Sequence, residues 1–287
     1  MLNDRFVYAE DGTRIAYGVS GSGPALVLTN GLTTTTTFWE YVLPVWLRRH
    51  TVITWDLPGH GQSGPARSDA TARIEAQPGL LARVMDAVEV QRAAQIGWST
   101  GSQVVLETYR QLPERCVSLA VLFGAAGRVL STTQLPLAGK LIERLVRSTP
   151  PAAFGGLCTL LSTAMRAPGS LTIGRKLNLI GEHARPADMQ RVIEHIGKVD
   201  PRTLRVMLLS AEEHSAHPVL SRLHVPLLIL AGDKDPFAPS DLVGVPLHNA
   251  APGSELLRLP HGTHTALLEE PQLIAATVED FVTRAFA

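Results

Sequence analysis

The chain has 287 residues and no net formal charge, with 45% hydrophobic and 18% charged residues. A chain of this length and composition can bury a large core, as a soluble α/β domain with or without an insertion does. A neutral chain without a basic stretch lacks the positive face that nucleic acid or an anionic membrane would attract. No apolar stretch reaches the roughly 20 residues that span a bilayer. We therefore expect neither nucleic acid nor a membrane as a partner.

The amino terminus and the cysteines bear on location and on metal binding. The amino terminus carries acids and a predicted strand instead of the charged-then-apolar pattern of an export signal, so we expect a cytoplasmic protein. Cys116 and Cys158 are the only cysteines and lie in no cluster that is typical of a metal site. We therefore expect no bound metal.

The first 127 residues alternate strand and helix patterns. Two β-type runs flank the turn signal Asp11–Gly12 and predict a hairpin. The elements predicted after it are strands at 24–31, 51–56, 93–99 and 117–125, and helices at 38–50, 80–92 and 100–113. This alternation predicts an α/β fold with a mostly parallel, doubly wound sheet that carries helices on both faces.

The alternation stops between residues 128 and 217. Helical patterns interrupted by proline and glycine cover 137–148, 154–166, 187–199 and 201–214. Strand patterns then resume at 225–232 and 254–260, and a last helix is expected at 271–286. We therefore expect a core made of residues 1–127 and 218–287, with residues 128–217 inserted as a helical cap.

One serine stands in a sequence context typical of a nucleophile. The segment Gly97-Trp98-Ser99-Thr100-Gly101 matches G-x-S-x-G and lies between a predicted strand and a predicted helix. A sharp strand-to-helix turn needs small neighbours, and the new helix offers free backbone N–H groups to an oxyanion. A serine that only caps the helix would have the same local sequence.

Five segments in order resemble the α/β-hydrolase fold family, over essentially the whole chain. They are residues 30–32, 56–63, 97–101, 231–239 and 262–271. The resemblance implies an eight-stranded, mostly parallel sheet with the helical insertion where this family keeps its cap.

The resemblance also implies the nucleophile and its base. Ser99 resembles the family nucleophile, which needs an adjacent base because a serine hydroxyl is weakly nucleophilic at neutral pH. His264 takes the place of the base because it begins the family's H-x-x-x-x-E-x-P-like ending. His261 is the alternative base, and His60, in a "PGHG" turn, is expected to be structural.

An acid must orient the histidine and stabilise its charged form. The family acid is the third residue after the glycine of the "AGDKD" segment, which is Asp235 here. Asp233 is the second choice. Asp56 is a further carboxylate in a family loop, where we expect a structural role.

The family's oxyanion loop corresponds to "TNGLTTTTTFWE", which contains five consecutive threonines. The resemblance implies that the backbone N–H groups of Leu32 and Thr100 form the oxyanion hole. Asn30 replaces the usual histidine, which leaves the exact position of the Leu32 N–H open.

The threonine run itself predicts an ordered lip of the site, because threonine is stiff and bonds nearby backbone. Thr37 and Glu40 match a capping box ahead of the helix at 38–50. For residues 34–36 a plain solvated loop remains an equal alternative.

The implied reaction is acyl transfer on an apolar, small to medium carboxylic ester, with no organic cofactor. We expect Gly31, Trp98 and Leu32 to contact the substrate. Apolar residues of the cap could complete an acyl pocket or simply pack; these are Leu141, Ile142, Leu145, Leu160, Leu161, Met165, Met207 and Leu208.

Other reactions and another class of protein stay open. Relatives with the same three residues cleave C–C bonds, lactones or thioesters. Some proteins of this fold bind small molecules without turning them over, although the intact set of Ser99, Asp235 and His264 favours an enzyme. No residue pattern sets the oligomeric state.

Overall fold

A computed structural model describes residues 3–134 and 136–287 and contains one sheet of eight strands. The strands are β1 (Arg5–Tyr8), β2 (Arg14–Gly21), β3 (Ala25–Thr29), β4 (Thr51–Trp55), β5 (Ala93–Trp98), β6 (Cys116–Leu122), β7 (Leu227–Gly232) and β8 (Glu255–Leu259). Their spatial order is β1-β2-β4-β3-β5-β6-β7-β8. The predicted hairpin is the antiparallel pair β1–β2, in which Arg5 lies opposite Tyr17. β2 and β4 are also antiparallel, and all pairs from β4 onward are parallel, which confirms the predicted fold class.

Twelve α-helices connect or cover these strands in the described ranges. They are α1 (Leu43–Trp46), α2 (Asp69–Ala72), α3 (Gln77–Ala87), α4 (Thr100–Gln111), α5 (Pro136–Ser148), α6 (Pro151–Met165), α7 (Ser170–Lys176), α8 (Pro186–Ile196), α9 (Pro201–Glu213), α10 (Val245–Ala250), α11 (Ala266–Glu269) and α12 (Pro271–Phe286). Within the part of the chain that the structure describes, none of them is long and apolar enough to cross a membrane.

Alternating side chains of each strand build separate hydrophobic cores on the two faces of the sheet. Leu26 and Leu28 of β3 pack with the side chains of α1 and α12. Val27, between them, points to the opposite face and packs with α3 and α4. Because side chains of a strand alternate in direction, a strand buried on both faces is expected to be largely apolar, as β3 is up to its last residue, Thr29.

Helices α5 to α9 all lie between β6 and β7, and we refer to residues 128–217 as the helical insert. The four predicted helical patterns correspond to α5, α6, α8 and α9, whereas α7 was not predicted. Helix α9 packs against the sheet, since its Met207 and Ala211 belong to the same core cluster as Val27.

The predicted helix at 38–50 is largely absent. A 3-10 helix spans Thr36–Trp39, and α1 contains only four residues. The predicted capping box is also wrong: the residue before the 3-10 helix is Thr35, and no side chain caps it. The Thr37 hydroxyl instead contacts that of Thr35 at 2.9 Å, and Glu40 pairs with Arg191 at 2.6 Å.

Candidate active site

The candidate site lies at the carboxyl ends of the central parallel strands. Ser99 follows β5, Asp235 follows β7 and His264 follows β8, while the loop that begins at Asn30 follows β3. Parallel strands bring the loops at their carboxyl ends to one edge of the sheet. Residues more than a hundred positions apart in sequence therefore meet in space.

Ser99 occupies a strained turn between β5 and α4. Its φ of 56° is in the left-handed region, which residues other than glycine seldom adopt. The neighbouring glycines are needed because their surroundings are tightly packed. A Cβ on Gly97 would lie 2.3 Å from the Gly101 carbonyl oxygen, and one on Gly101 would lie 2.3 Å from that of Thr29. The G-x-S-x-G spacing thus follows from backbone contacts.

Three side chains form one hydrogen-bonded chain. The Nε2 atom of His264 lies 2.9 Å from the Ser99 hydroxyl oxygen. Its Nδ1 atom lies 2.8 Å from Asp235 Oδ2. A neutral imidazole that donates from Nδ1 to the carboxylate accepts at Nε2, so this arrangement can take a proton from the serine.

Asp235 is fully buried, and its hydrogen bonds fix its orientation. Oδ1 accepts hydrogen bonds from the backbone N–H groups of Phe237 at 2.8 Å and Ala238 at 3.0 Å. Of the alternative acids, Asp233 pairs with Arg258 at the surface. Asp56 accepts the backbone N–H of a nearby loop residue, and burial raises its pKa to about 6. Neither alternative bonds to the imidazole.

Aromatic side chains hold the imidazole of His264 from two directions. The ring centres of Trp98 and Phe237 each lie 4.9 Å from that of His264. The competing histidine, His261, is exposed at the surface and makes no side-chain contact with the serine in the described residues.

A carboxylate anchors the residues on either side of this histidine. The hydroxyl of Thr263 lies 2.8 Å from Glu269 Oε1, and that of Thr265 lies 2.5 Å from the same atom. The Thr265 oxygen also accepts the backbone N–H of Gly181, which belongs to the helical insert, at 3.1 Å. A Cβ on Gly181 would overlap the carboxylate. One glutamate therefore connects the histidine loop with the insert.

Two backbone N–H groups are free to bind an oxyanion beside the serine. Those of Leu32 and Thr100 have no hydrogen-bond acceptor among the described residues. Asn30, which replaces the family histidine, fixes the Leu32 loop through its side chain. It donates to the Trp55 carbonyl at 3.1 Å and accepts the Trp39 indole N–H at 2.6 Å.

His60 supports the same loop, in agreement with the structural role predicted for it. Its Nδ1–H donates to the Pro58 carbonyl at 2.9 Å, and its Nε2 accepts the backbone N–H of Thr33 at 3.0 Å. Burial lowers the His60 pKa to about 4, so the ring is neutral and can accept this bond. Thr33 itself has a φ of 61°, a strained conformation for a β-branched residue.

The threonine run is ordered, but its members differ. Thr33 and Thr34 line the cavity over Ser99, and the Thr34 hydroxyl donates to the Gly31 carbonyl at 3.0 Å. Thr35 and Thr36 do not line the cavity. The predicted lip of the site is therefore confirmed for the first two threonines.

An apolar cavity of about 570 Å³ opens over Ser99 and His264. The helical insert supplies more than half of its walls, and none of the described residues that line it is Asp, Glu, Lys or Arg. A wall without charges favours a neutral, apolar ligand, because an ion would lose its hydration without gaining a partner.

Only some of the residues that were predicted to contact the substrate line the cavity. Leu32, Trp98, Met165 and Leu208 line it, as expected. Met207 packs in the core instead, and the remaining predicted leucines and isoleucine of α5 and α6 are exposed. Gly31 does not line the cavity: a Cβ there would lie 2.7 Å from the Trp98 ring and 2.8 Å from Ser99 Cβ, so it allows the loop to approach the serine.

The wall formed by α8 was not predicted from the sequence. Met189, Val192, Ile193 and Ile196 all line the cavity. They recur at intervals of three and four residues, the spacing of one helix face, so the signal was present. Within residues 3–134 and 136–287, no group of three or more His, Cys, Asp and Glu side chains is arranged to hold a metal ion.

Comparisons with known proteins agree with this architecture. The sequence model of the α/β-hydrolase fold family matches residues 24–271. A pimeloyl-[acyl-carrier protein] methyl ester esterase from Neisseria meningitidis is 27% identical over 232 residues, covering 79% of this chain and 80% of that protein. An esterase from Exiguobacterium antarcticum superposes with a TM-score of 0.77 at 18% identity, over all of both chains. The enol-lactonase from Burkholderia xenovorans LB400 gives 0.76 at 21% identity, over 97% of this chain and 100% of its own.

Proposed function

Because the chain belongs to the α/β-hydrolase fold family, we propose that it is a serine hydrolase that cleaves apolar carboxylic esters. The observation that carries this proposal is the hydrogen-bonded chain of Ser99, His264 and Asp235 beneath an apolar cavity. In this reading Ser99 is the nucleophile, His264 the general base and acid, and Asp235 the group that orients the imidazole and stabilises its charged form.

The first half of the reaction forms an acyl-enzyme. The Ser99 oxygen bonds to the ester carbonyl carbon as its proton passes to His264 Nε2. The carbonyl oxygen becomes an oxyanion that accepts hydrogen bonds from the N–H groups of Leu32 and Thr100. When the intermediate collapses, the carbon–oxygen bond to the alcohol breaks, and His264 gives its proton to the departing alcohol.

The second half reverses these roles. Water loses a proton to His264 Nε2 and its oxygen bonds to the acyl carbon. The bond to Ser99 then breaks, the serine oxygen recovers the proton from His264, and the carboxylic acid is released. Atoms and charge balance without a metal or an organic cofactor.

The helical insert is proposed to act as a cap that selects the substrate. Its contribution to the cavity wall is mostly apolar, the hydroxyls of Thr132 and Ser170 apart, and comes from α6, α7, α8, one residue of α9 and the segments beside α5 and α7. Transfer of a neutral apolar acyl chain from water to this space is favourable, whereas a charged chain would lose the free energy of its hydration. A cyclic ester meets the same requirements, so a lactone is the second candidate substrate.

The test is turnover of p-nitrophenyl esters of increasing acyl length by the wild-type chain, Ser99→Ala and His264→Ala. We expect hydrolysis by the wild type and a fall in kcat of roughly 10⁴-fold or more in both variants. His261→Ala is the matched control, because replacement of this exposed histidine should leave the rate unchanged.

The outcomes separate the competing functions. If the wild type hydrolyses no ester but reacts covalently at Ser99 with a serine-directed phosphonate, lactones, thioesters and C–C substrates are tested next. If neither happens, the hydrolase proposal fails, and a non-catalytic binding protein is the better description.

A further inference from the structure

The exposed side chains of residues 137–179 are more apolar and more basic than the rest of the surface. We refer to them as the basic apolar face. Nine of the fourteen exposed large hydrophobic residues in the described ranges lie between positions 137 and 179. They are Leu137, Leu141, Ile142, Leu145, Leu160, Leu161, Ile173, Leu177 and Leu179. Such a concentration on one short segment of a soluble protein marks a surface that binds something.

The same segment carries most of the charge asymmetry of the chain. Residues 136–178 contain six Lys and Arg residues and one acid, Glu143, and so have a net charge of +5. The remaining 20 basic and 25 acidic residues give −5 elsewhere, which is why the whole chain appears neutral. The expectation of no anionic surface as a partner rested on the neutral total charge and the absence of a basic stretch, and the total conceals this separation.

Most of these positive charges have no ion-pair partner among the described residues, although Arg175 donates a hydrogen bond to the Ala184 carbonyl at 2.9 Å. Arg147 pairs with Glu143 at 2.8 Å and with Glu213 at 3.0 Å. The other five basic residues form no ion pair with any described residue; they are Lys140, Arg144, Arg166, Arg175 and Lys176. Unpaired cations beside exposed leucines fit an anionic surface with an apolar interior.

Helix α5 shows this arrangement most clearly. Leu137, Leu141 and Leu145 recur every four residues and are exposed to 82%, 66% and 48%. Lys140 and Arg144 recur at the same interval and form the adjacent row. Only the opposite side of the helix, with Gly139 and Val146, is buried.

The face is continuous with the cavity. Ile173 of α7 is 61% exposed and also lines the cavity, and Leu179 is 36% exposed and lines it too. An apolar molecule held at these two residues would therefore lie at the edge of the cavity over Ser99.

We propose that the basic apolar face docks on an anionic lipid surface. A second copy of the chain fits less well, because a two-fold contact would bring the same unpaired cations together from both subunits. Docking places the leucines in the acyl boundary and the Lys and Arg side chains among the phosphates. This proposal does not depend on ester hydrolysis.

The test is co-sedimentation of the full chain with vesicles of phosphatidylcholine, with and without about 30% phosphatidylglycerol as the anionic lipid. We expect binding to the anionic vesicles that is at least about 10-fold stronger and weakens with added salt. The double variant Leu141→Ser/Leu145→Ser should reduce it about 10-fold or more. Leu242→Ser and Leu273→Ser, at exposed sites outside the face, should leave it unchanged.

A second variant tests the charge separately. Lys140→Glu/Arg144→Glu should weaken binding to anionic vesicles and leave any binding to neutral vesicles unaltered. The proposal is overturned if the wild type does not bind anionic vesicles at low salt, or if the control variants lose binding equally. A concentration-dependent dimer that disappears in the leucine variant would also overturn it, in favour of a contact between copies.

Discussion

The loops around Ser99 and the helices α5 to α9 are held in place by different kinds of interaction. In the loops, buried polar groups are fixed by short directional bonds, such as Asp235 to His264 at 2.8 Å and Asn30 to Trp39 at 2.6 Å. Glycines there pack against backbone with no room for a Cβ. In the helices, the cavity wall is apolar and several leucines face solvent. Directional bonds tolerate little displacement, whereas apolar contacts can be rearranged at small cost. Substitutions in the loops should therefore abolish the proposed ester hydrolysis, and substitutions in the helices should alter which esters are accepted.

The largest effect is expected from Asp235→Asn. The amide nitrogen of the new side chain would donate to His264 Nδ1, so the imidazole proton would sit on Nε2. A protonated Nε2 cannot accept the proton of Ser99. We expect kcat to fall about 10⁴-fold in an ester assay, with the fold retained. Asp233→Asn, which removes only a surface ion pair, is the control. An equal loss of kcat in that variant would argue against a specific role for Asp235.

A smaller effect is expected at the carboxylate that anchors the histidine loop. Glu269→Ala leaves the Thr263 and Thr265 hydroxyls without their acceptor, so His264 should lose its exact position. We expect kcat to fall about 10- to 100-fold while KM changes little. Glu269→Gln retains an acceptor oxygen and should restore most of the rate.

The control for this residue is its neighbour. Glu270 is half-buried, and its side chain makes no hydrogen bond within the described ranges, so Glu270→Ala should leave kcat unchanged. If Glu269→Ala lowers only the melting temperature, the carboxylate stabilises the fold without positioning the histidine.

The loops should also respond to acid. The His60 pKa is about 4 in the folded protein and about 6.5 in the unfolded chain, so the unfolded chain binds more protons between these values. Stability is then lost as the pH falls. Between pH 7 and pH 5, this histidine should reduce the free energy of unfolding by about 2 kcal/mol.

Urea unfolding of the wild type and of His60→Gln at the two pH values measures this contribution. The loss should be smaller in the variant. His195, whose pKa is lowered to about 4 by burial and by the neighbouring His60, acts in the same direction, so part of the pH dependence should remain in the variant. Identical pH dependence of the two proteins would contradict the assignment to His60.

The smallest effect is expected in the helices. Leu208→Trp reduces the space of the cavity, so KM for the longest ester accepted should rise about 10-fold while short esters are little affected. Leu160→Trp, at a site on α6 that is 68% exposed, is the size-matched control. A uniform loss of kcat in Leu208→Trp would mean that the helices influence the chemistry as well.

The sequence was most informative where short-range backbone geometry decides the structure. The turn at Ser99 needs glycines at fixed spacing, and the patterns that predicted β5 before it and α4 after it gave this motif its context. The parallel sheet was predicted because strand and helix patterns alternate along the first 127 residues, and the apolar run of β3 fits a strand covered on both faces.

Prediction failed where a distant partner decides the structure. The supposed capping box was wrong because Glu40 bonds to Arg191, which lies 151 positions away. Leu141 and Leu160 look like pocket residues by composition, but only the packing of the helices determines that Met189 and Ile193 face the cavity. The role of Glu269 likewise required knowing that Thr263 and Thr265 turn toward it.

The absence of charged side chains from the described part of the cavity wall affects how the product of the proposed reaction is released. A neutral ester enters this space readily, but the acid it yields ionises at neutral pH. A carboxylate there has no cation to replace its lost hydration, apart from the imidazole when protonated. The product therefore leaves for water more readily than the substrate does. We infer that the acid competes poorly with fresh ester, so the proposed hydrolysis should show little inhibition by its product.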